Sequence, residues 1–507
     1  MGEYLIGVDI GTTGCKTCVF ALDGRIAGGD YREYPSYYPN PGWVEQIPED
    51  LAPAAFASCK AAIADAGIRP EEILAIGLST QGSVVCMLDG HGDLIRPFIG
   101  WQDLRGSTDG TDYLLSRVSR ERIYEIAGDP VGTVFSNTKL AWVKLNEPDN
   151  WNKTALFSTH QDYFLRKFGA GEHVTDLSSA SRDGLLDVDN AAWSEELHAA
   201  LGIPLDKRPA IVPQPGAVVC RVPPDIAAQT GLLAGTPLCM GAHDQNCSTF
   251  GAGGVAHGTA VLVMGTFGSC FVVTDNSVRD PNRKLVVKNN HGVGNYTIEA
   301  FSNTAASSFR WYRDTFCDYE KSVGARQGVD PYALINAQIE SVGPGANGIT
   351  FLPYLQGASG VRLNSRARGA FVGMTLGASK AEMARAVMEG ICYEMYDIIR
   401  AEIEAGVDID AIRLSGGASK SPVWLQMMAD IFGRPIQKLS TGETGCLGAA
   451  LYAGVGIGAY GDCADAARKA VHITETCEPN PGNRAAYDGA YRKFAEIYEA
   501  LEPRVFG

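Results

Sequence analysis

Residues 5–20 read LIGVDIGTTGCKTCVF, an apolar strand pattern interrupted by one acid, Asp9, immediately before a turn of Gly and Thr. Burying a lone carboxylate without a partner is expensive, so the partner of Asp9 is expected outside the polypeptide. A second acid, Asp244, lies in the polar stretch GAHDQN between His243 and Gln245. A carboxylate or an imidazole in such a loop suits proton transfer to or from a bound hydroxyl. Further along, SGGAS at 415–419 presents a glycine-rich turn before a helical pattern. Glycines there let backbone approach a ligand, and the amides of such a turn can cradle a phosphate.

The opening turn has a second copy. AVLVMGTFGSCFVVTD at 260–275 repeats apolar strand, Gly-Thr-x-Gly and apolar strand, setting Gly265, Thr266 and Gly268 against Gly11, Thr12 and Gly14. In that comparison Asp9 faces Val263, so shared turn geometry explains the glycines and leaves the acid unexplained. Two phosphate-binding alternatives fail on spacing: no GxxxxGK[ST] is present, and no GxGxxG opens a dinucleotide-binding unit. Cys15 and Cys18 form a CxxC, but no second Cys or Cys/His pair completes a zinc site and the motif lies in a strand pattern, so both read as small buried residues.

These residues need a frame of strands and helices. YLIGVDIG and KTCVFAL read as strands, followed by a turn at DG and another strand near IAGGDYREY. A helix is expected over 48–65, and EEILAIGLSTQG supplies a strand ending in a polar loop. Residues 111–205 read as helical or irregular elaboration of the first domain, with TDLSSASRDGLLD too polar for a core. AIRLS predicts a strand before the Gly-rich turn, 416–439 a turn, an amphipathic helix and a short strand, and ETGCLGAALYAGVGIG at 443–458 a closely packed helix. The pattern is α/β in two halves of one plan.

The whole chain has 507 residues, 45% hydrophobic and 20% charged, which fits a globular protein of two or three domains. A net charge of −15, from 58 acidic and 43 basic residues without a long basic run, excludes nucleic acid and anionic membrane as main partners. Thirteen scattered cysteines fit free thiols in a reducing compartment. With no secretory pattern at the N-terminus and no run of membrane-spanning length, a cytoplasmic protein is expected.

The ordered series GVDIGTTGCKTCVF, GLSTQG, WQDLR, SNTKLAWVKLNEP, QDYFLRKFG, GAHDQN, GTFGS, GAFVGMTLG, LSGGASKSPVWLQMMADIFGRP and ETGCLGAALYAG resembles the FGGY family of carbohydrate kinases, within the actin-like ATPase superfamily. The resemblance spans nearly the full length. It implies two ribonuclease-H-like domains, 1–252 carrying the sugar site and base and 253–507 the nucleotide site, with ATP and sugar meeting in the cleft between them. By position in these motifs, Asp9 corresponds to the acid associated with Mg2+, and Gly11, Thr12 and Thr13 to the loop facing the γ-phosphate. Asp244 corresponds to the catalytic base. Gln81, Gly82, Trp101, Asp103, Arg105 and Gln245 fall in acceptor-contact regions, Gly265 and Thr266 in the second phosphate loop, and Gly416, Gly417 and Ala418 beside the nucleotide, with Ser421 and Gln426 nearby.

Thr80-Gln-Gly-Ser-Val84 departs from both the xylulose kinase and the glycerol kinase patterns, and GAHDQN from the common base loops. A ketopentose such as xylulose or a related linear polyol is the expected acceptor. A catalytically silent sugar sensor and an actin-like ATPase with a non-metabolic role are the alternatives, and homo-oligomerisation stays open.

Overall fold

The computed structural model describes residues 2–292 and 294–507. Strands β1 (Tyr4–Ile10), β2 (Gly14–Ala21), β3 (Ile26–Glu33), β4 (Ile73–Thr80), β5 (Val218–Arg221) and β6 (Pro237–His243) form one sheet in the order β5-β6-β4-β1-β2-β3. Strands β7 (Thr259–Met264), β8 (Gly268–Thr274), β9 (Val286–Asn289), β10 (Tyr296–Ser302), β11 (Ala411–Ser415), β12 (Ile436–Leu439) and β13 (Ile473–Cys477) form the other, in the order β9-β10-β8-β7-β11-β12-β13. Each sheet has an antiparallel hairpin followed by strands parallel to its first member.

The sequence repeat is preserved down to register. Asp9 lies opposite Lys16 on β2 and Ser79 on β4, and Val263 lies opposite Ser269 on β8 and Ser415 on β11. Cys15 and Cys18 are buried in strand β2, as small core residues. On the far side of β4, His243 lies opposite Thr80. The ends of β1, β4 and β6 therefore deliver Asp9, Gln81 and Asp244 to one edge of the first sheet.

Helices α1 (Pro48–Ala66), α2 (Ser136–Asn146), α3 (His160–Lys167), α4 (Leu177–Ser181) and α5 (Asp244–Gly251) belong to the first half, and α6 (Lys380–Glu404), α7 (Pro422–Phe432) and α8 (Thr444–Gly456) to the second. Local chemistry sets their ends. Ser379 and Glu382 close a capping box at the start of α6, and Ser421 caps α7 ahead of Pro422, with Gly433 left-handed at its end. Ser421 and Gln426 thus have structural roles, the latter bonding Asp430 and the Glu478 carbonyl.

The stretch from Thr175 to Asp183, expected to be too polar for a core, is buried. Its charged groups find partners within the fold: the Asp176 side chain accepts from the Ser178 and Ser179 amides at the start of α4, Arg208 pairs with Asp183, and Arg182 pairs with Glu299 on β10 at 2.6 Å. Paired polarity is what makes burial tolerable.

Helix α8 follows β12 in the chain yet packs on the first sheet, sharing a core with Leu5, Phe20, Ala75 and Phe250. It is buried from Thr444 to Gly454, as befits a helix apolar all round. Its approach is backbone to backbone. A Cβ on Gly7 would overlap the Cys446 carbonyl, one on Gly77 the Ala449 carbonyl, and one on Gly448 the Cys247 carbonyl of α5. Gly448→Ala is expected to destabilise the protein by about 1–3 kcal/mol through overpacking. Gly489→Ala, whose Cβ would meet nothing within 4 Å, should be neutral or stabilising by up to about 1 kcal/mol. Urea unfolding of the two variants beside the parent checks the contrast.

Candidate active site

Asp9 stands at the end of β1, where its Oδ1 accepts from Ser79 Oγ at 2.7 Å. Its Oδ2 faces the first turn of α8, only 2.9 Å from where a Cβ on Gly445 would be. The cation opposite it in the hairpin does not pair with it: Lys16 Nζ turns instead to Glu443 at 2.5 Å. Burial first, and then the negative charge of Asp244, push the Asp9 carboxyl up to about 7. Among the described residues no cation forms an ion pair with the lone acid of the opening motif, and Lys16 acts on it only from a distance.

The turn after Asp9 is braced from several sides. Gly11 N donates to Gly14 O at 3.1 Å, Tyr34 OH to the Gly11 carbonyl at 2.5 Å, and Gln46 Nε2 to the Thr12 carbonyl at 2.8 Å. Trp101 Nε1 donates to Thr12 Oγ1 at 3.0 Å, while Thr13 is exposed. Thr13 Oγ1 lies 3.3 Å from Tyr31 OH, so the turn is held through its carbonyls and through both Thr hydroxyls.

Asp244 is the first residue of α5, and its side chain is 22% exposed. Its Oδ1 accepts from Gln245 N at 2.6 Å and lies 3.0 Å from His243 Nε2. Burial alone would raise this carboxyl, but the His243 ring, Arg182 and the Gln245 amide outweigh it and hold Asp244 below the usual carboxylate range. The two acids of the cleft are displaced in opposite directions, the pattern by which one site keeps an ionised base beside a group of different charge state.

The residues expected on the acceptor side divide. Gln81 is buried, bonding through its Nε2 to Gln46 at 2.6 Å and through its amide to the Ile10 carbonyl. Gly82 packs against the His243 ring and Arg182, where a Cβ would overlap the imidazole. Trp101 spans the cleft, its indole bonding Thr12 and meeting Phe267 edge-on at 5.5 Å. Asp103 and Arg105 are buried and spent on each other: Asp103 also accepts from Val44 N at 2.5 Å, and Arg105 bonds Glu45 and stacks 4.0 Å from Trp43. They position the loop that carries Trp101. Gln245 contributes its backbone amide to Asp244 and its carbonyl to Thr249.

On the other side of the cleft, Gly265 N bonds Phe267 O, Ala306 N bonds Gly265 O, and Ser307 Oγ donates to the Thr266 carbonyl at 2.8 Å. Gly416, at φ 93°, lies so close to β7 that a Cβ would sit 2.5 Å from the Met264 carbonyl. Gly417 borders open space, while the Ala418 methyl is buried in the core, leaving only its backbone for a ligand. The two glycine turns are adjacent because β7 and β11 are parallel neighbours.

Three contributors were not singled out from the sequence. Ser79 holds Asp9, and Arg182 bears on Asp244 from the end of α4. Lys139, wholly buried in α2, donates to the Ser83 carbonyl at 2.9 Å and the Gly100 carbonyl at 3.1 Å, tying together the loops that carry Gln81 and Trp101. Burial lowers its ammonium to about 7. Lys139 lay in the quoted SNTKLAWVKLNEP stretch, but only its burial reveals the role.

The Asp9 shift has a stability consequence. Between the ordinary value of 3.8 and about 7, the folded protein keeps a proton that the unfolded chain releases. Stability therefore falls through this window as pH rises, and the loss is complete above it. Asp9→Asn, a mimic of the neutral acid, is expected to raise stability at pH 8 by on the order of 1–3 kcal/mol. That gain should vanish at about pH 3, below both values; thermal unfolding at both pH values tests it.

Comparison with known proteins agrees with this architecture. Residues 4–251 match the N-terminal domain of the FGGY family of carbohydrate kinases, and residues 260–457 its C-terminal domain. The chain is 28% identical over 496 residues to a xylulose kinase of Bacillus subtilis, covering 98% of this chain and 97% of that protein. It is 31% identical over 476 residues to a glycerol kinase of Dechloromonas aromatica, covering 91% of each. The solved structure of a gluconate kinase from Lactobacillus acidophilus superposes with a TM-score of 0.90 at 26% identity, covering 100% of this chain and 99% of that one. Two half-chain matches in the order of the two sheets, with relatives aligned along nearly their whole length, make this chain a member of the FGGY family of carbohydrate kinases, which are phosphotransferases.

Proposed function

We propose that the protein transfers the γ-phosphoryl group of ATP to a hydroxyl of a small linear carbohydrate, a ketopentose such as xylulose or a related polyol, with Asp244 as general base. The observation that carries this reading is the partly exposed Asp244 carboxylate, kept ionised beside loops rich in hydrogen-bonding groups. The acceptor oxygen forms a bond to Pγ as the bridging Pγ–O bond breaks, its proton passes to Asp244, and ADP leaves with the bridging oxygen. Gln81 and Gln245 flank the acceptor, and Trp101 covers its carbon face. Thr12, Thr13, Gly265 and Thr266 receive the phosphates, with Gly416 and Gly417 beside the nucleotide.

Asp9 fits a Mg2+ held jointly with the nucleotide. Among the described residues no group of three or more His, Cys, Asp or Glu is placed to hold a metal alone, and Mg2+ commonly takes one or two carboxylates together with phosphate oxygens and water. When bound, the ion offsets charge on the transferring group. Asp9 supplies the negative oxygen at the strand end, and Ser79 fixes its orientation.

Two measurements test the proposal. Acceptor-dependent ADP formation, screened across ketopentoses, aldonates, linear polyols and glycerol, should show one preferred acceptor and fall by about 10²–10⁴ in Asp244→Asn. Turnover that survives in this variant would remove Asp244 as the base, and no response to any acceptor, despite nucleotide binding, would favour a sensor. Separately, because Asp9 must lose its proton to bind the ion, Mg2+-dependent ADP affinity should tighten between pH 6 and pH 8. Calorimetry on Asp9→Asn should show a smaller pH dependence, only that of Mg2+ binding to ADP measured without protein; an undiminished dependence would place the metal elsewhere.

A further inference from the structure

We propose that His243 is the positioning residue for Asp244: it selects which carboxylate oxygen faces the acceptor, and ties that orientation to the second sheet through Asn246 and Asn290. The proposal rests on the reading of Asp244 as the base. Asp244 Oδ1 is engaged by the Gln245 amide at 2.6 Å and by His243 Nε2 at 3.0 Å, which turns Oδ2 toward the ligand.

The ring is held on its other side as well. Asn246, buried on α5, donates from Nδ2 to Asn290 Oδ1 at 2.8 Å, and this bond sets the amide so that its Oδ1 faces His243 Nδ1 at 3.3 Å. A carbonyl oxygen accepts only, so Nδ1 must donate. With Nδ1–H committed, the contact between Nε2 and an ionised Asp244 requires a second ring proton, making the pair imidazolium and carboxylate. The ring is confined on one edge by Gly82, where a Cβ would overlap it.

Asn290 directly follows β9, and β9 is docked on the first half. Lys288 pairs with Asp129 and donates to the Ser181 carbonyl at 2.7 Å, and Asn289 Nδ2 donates to the Val188 carbonyl at 2.8 Å. The chain of contacts from Asp244 to Asn290 therefore joins the base to the seam between the halves. Other titratable groups bear on Asp244: Asp9 from β1, Arg182 from the end of α4, His160 at the start of α3, and Tyr34 after β3. Arg182 is already paired with Glu299, so His243 is the cation in hydrogen-bond contact.

Two readouts test this, one independent of turnover. In protein labelled with nitrogen-15 at histidine, one imidazole should carry protons on both nitrogens at pH 7, and that signal should be missing from His243→Gln. In the pH dependence of kcat/KM for the acceptor, the acidic limb should move up by about 1–3 pH units in His243→Gln, which retains a donor but no charge. The plateau at high pH should stay within about tenfold of the parent, because the base itself is intact. Asn246→Ala, which frees Nδ1, should move the limb in the same direction by less, and it carries the test if His243→Gln does not fold. A ring with a single proton at pH 7, or an unmoved limb in the variants, would overturn the proposal. Loss of activity at every pH in His243→Gln would make His243 itself the base. A parent that turns over no acceptor would fail the proposed function instead, and the nitrogen signal would still decide this inference.

Discussion

Two helices, one from each half of the chain, meet backbone against backbone at Gly251 and Gly448, and the site depends on that contact. A Cβ at either position would overlap a carbonyl of the other helix. Because no side chains intervene, α8 runs close along the first sheet and its first turn reaches Asp9. Helix α5 begins at Asp244 in the same place. The separation of the two carboxylates is therefore set by close packing, the least compressible feature of a protein interior.

That packing also creates the electrostatics. Asp9 is enclosed by a strand and a helix start, with its nearest cation drawn off to Glu443. Asp244 is surrounded by donors and positive charge, and its carboxyl moves the other way. The coupling runs from one to the other, since the charge of Asp244 contributes to raising Asp9.

Around this centre the conspicuous polar residues serve mostly as scaffold. Asp103 and Arg105 bond each other and hold the Trp101 loop. Lys139 pins Ser83 and Gly100 from beneath. Arg182 and Lys288 close charge pairs across the seam with Glu299 and Asp129. Buried pairs of this kind contribute little net stability against apolar alternatives, yet removing one member strands a charge. Their value here is geometric, because they fix which loops line the cleft.

The chain by itself determined the repeated strand–turn–strand plan, the anomaly of Asp9 and the tight packing of the Gly/Ala-rich helix. These are local signals: period-two apolar pattern, glycine at turns and an acid where burial is expected. The order of motifs carried the family likeness, and with it Asp244. Only the tertiary structure decided which polar residues remain available to a ligand. The bond from Ser79 to Asp9 spans 70 residues and that from Asn246 to Asn290 spans 44, distances over which no periodicity carries information. The same blindness made the stretch from Thr175 to Asp183 look like surface and Asp103 look like a contact residue. Whether a buried polar group is a ligand contact or a strut depends on whether its hydrogen bonds are already filled, and the partners that fill them come from elsewhere in the fold.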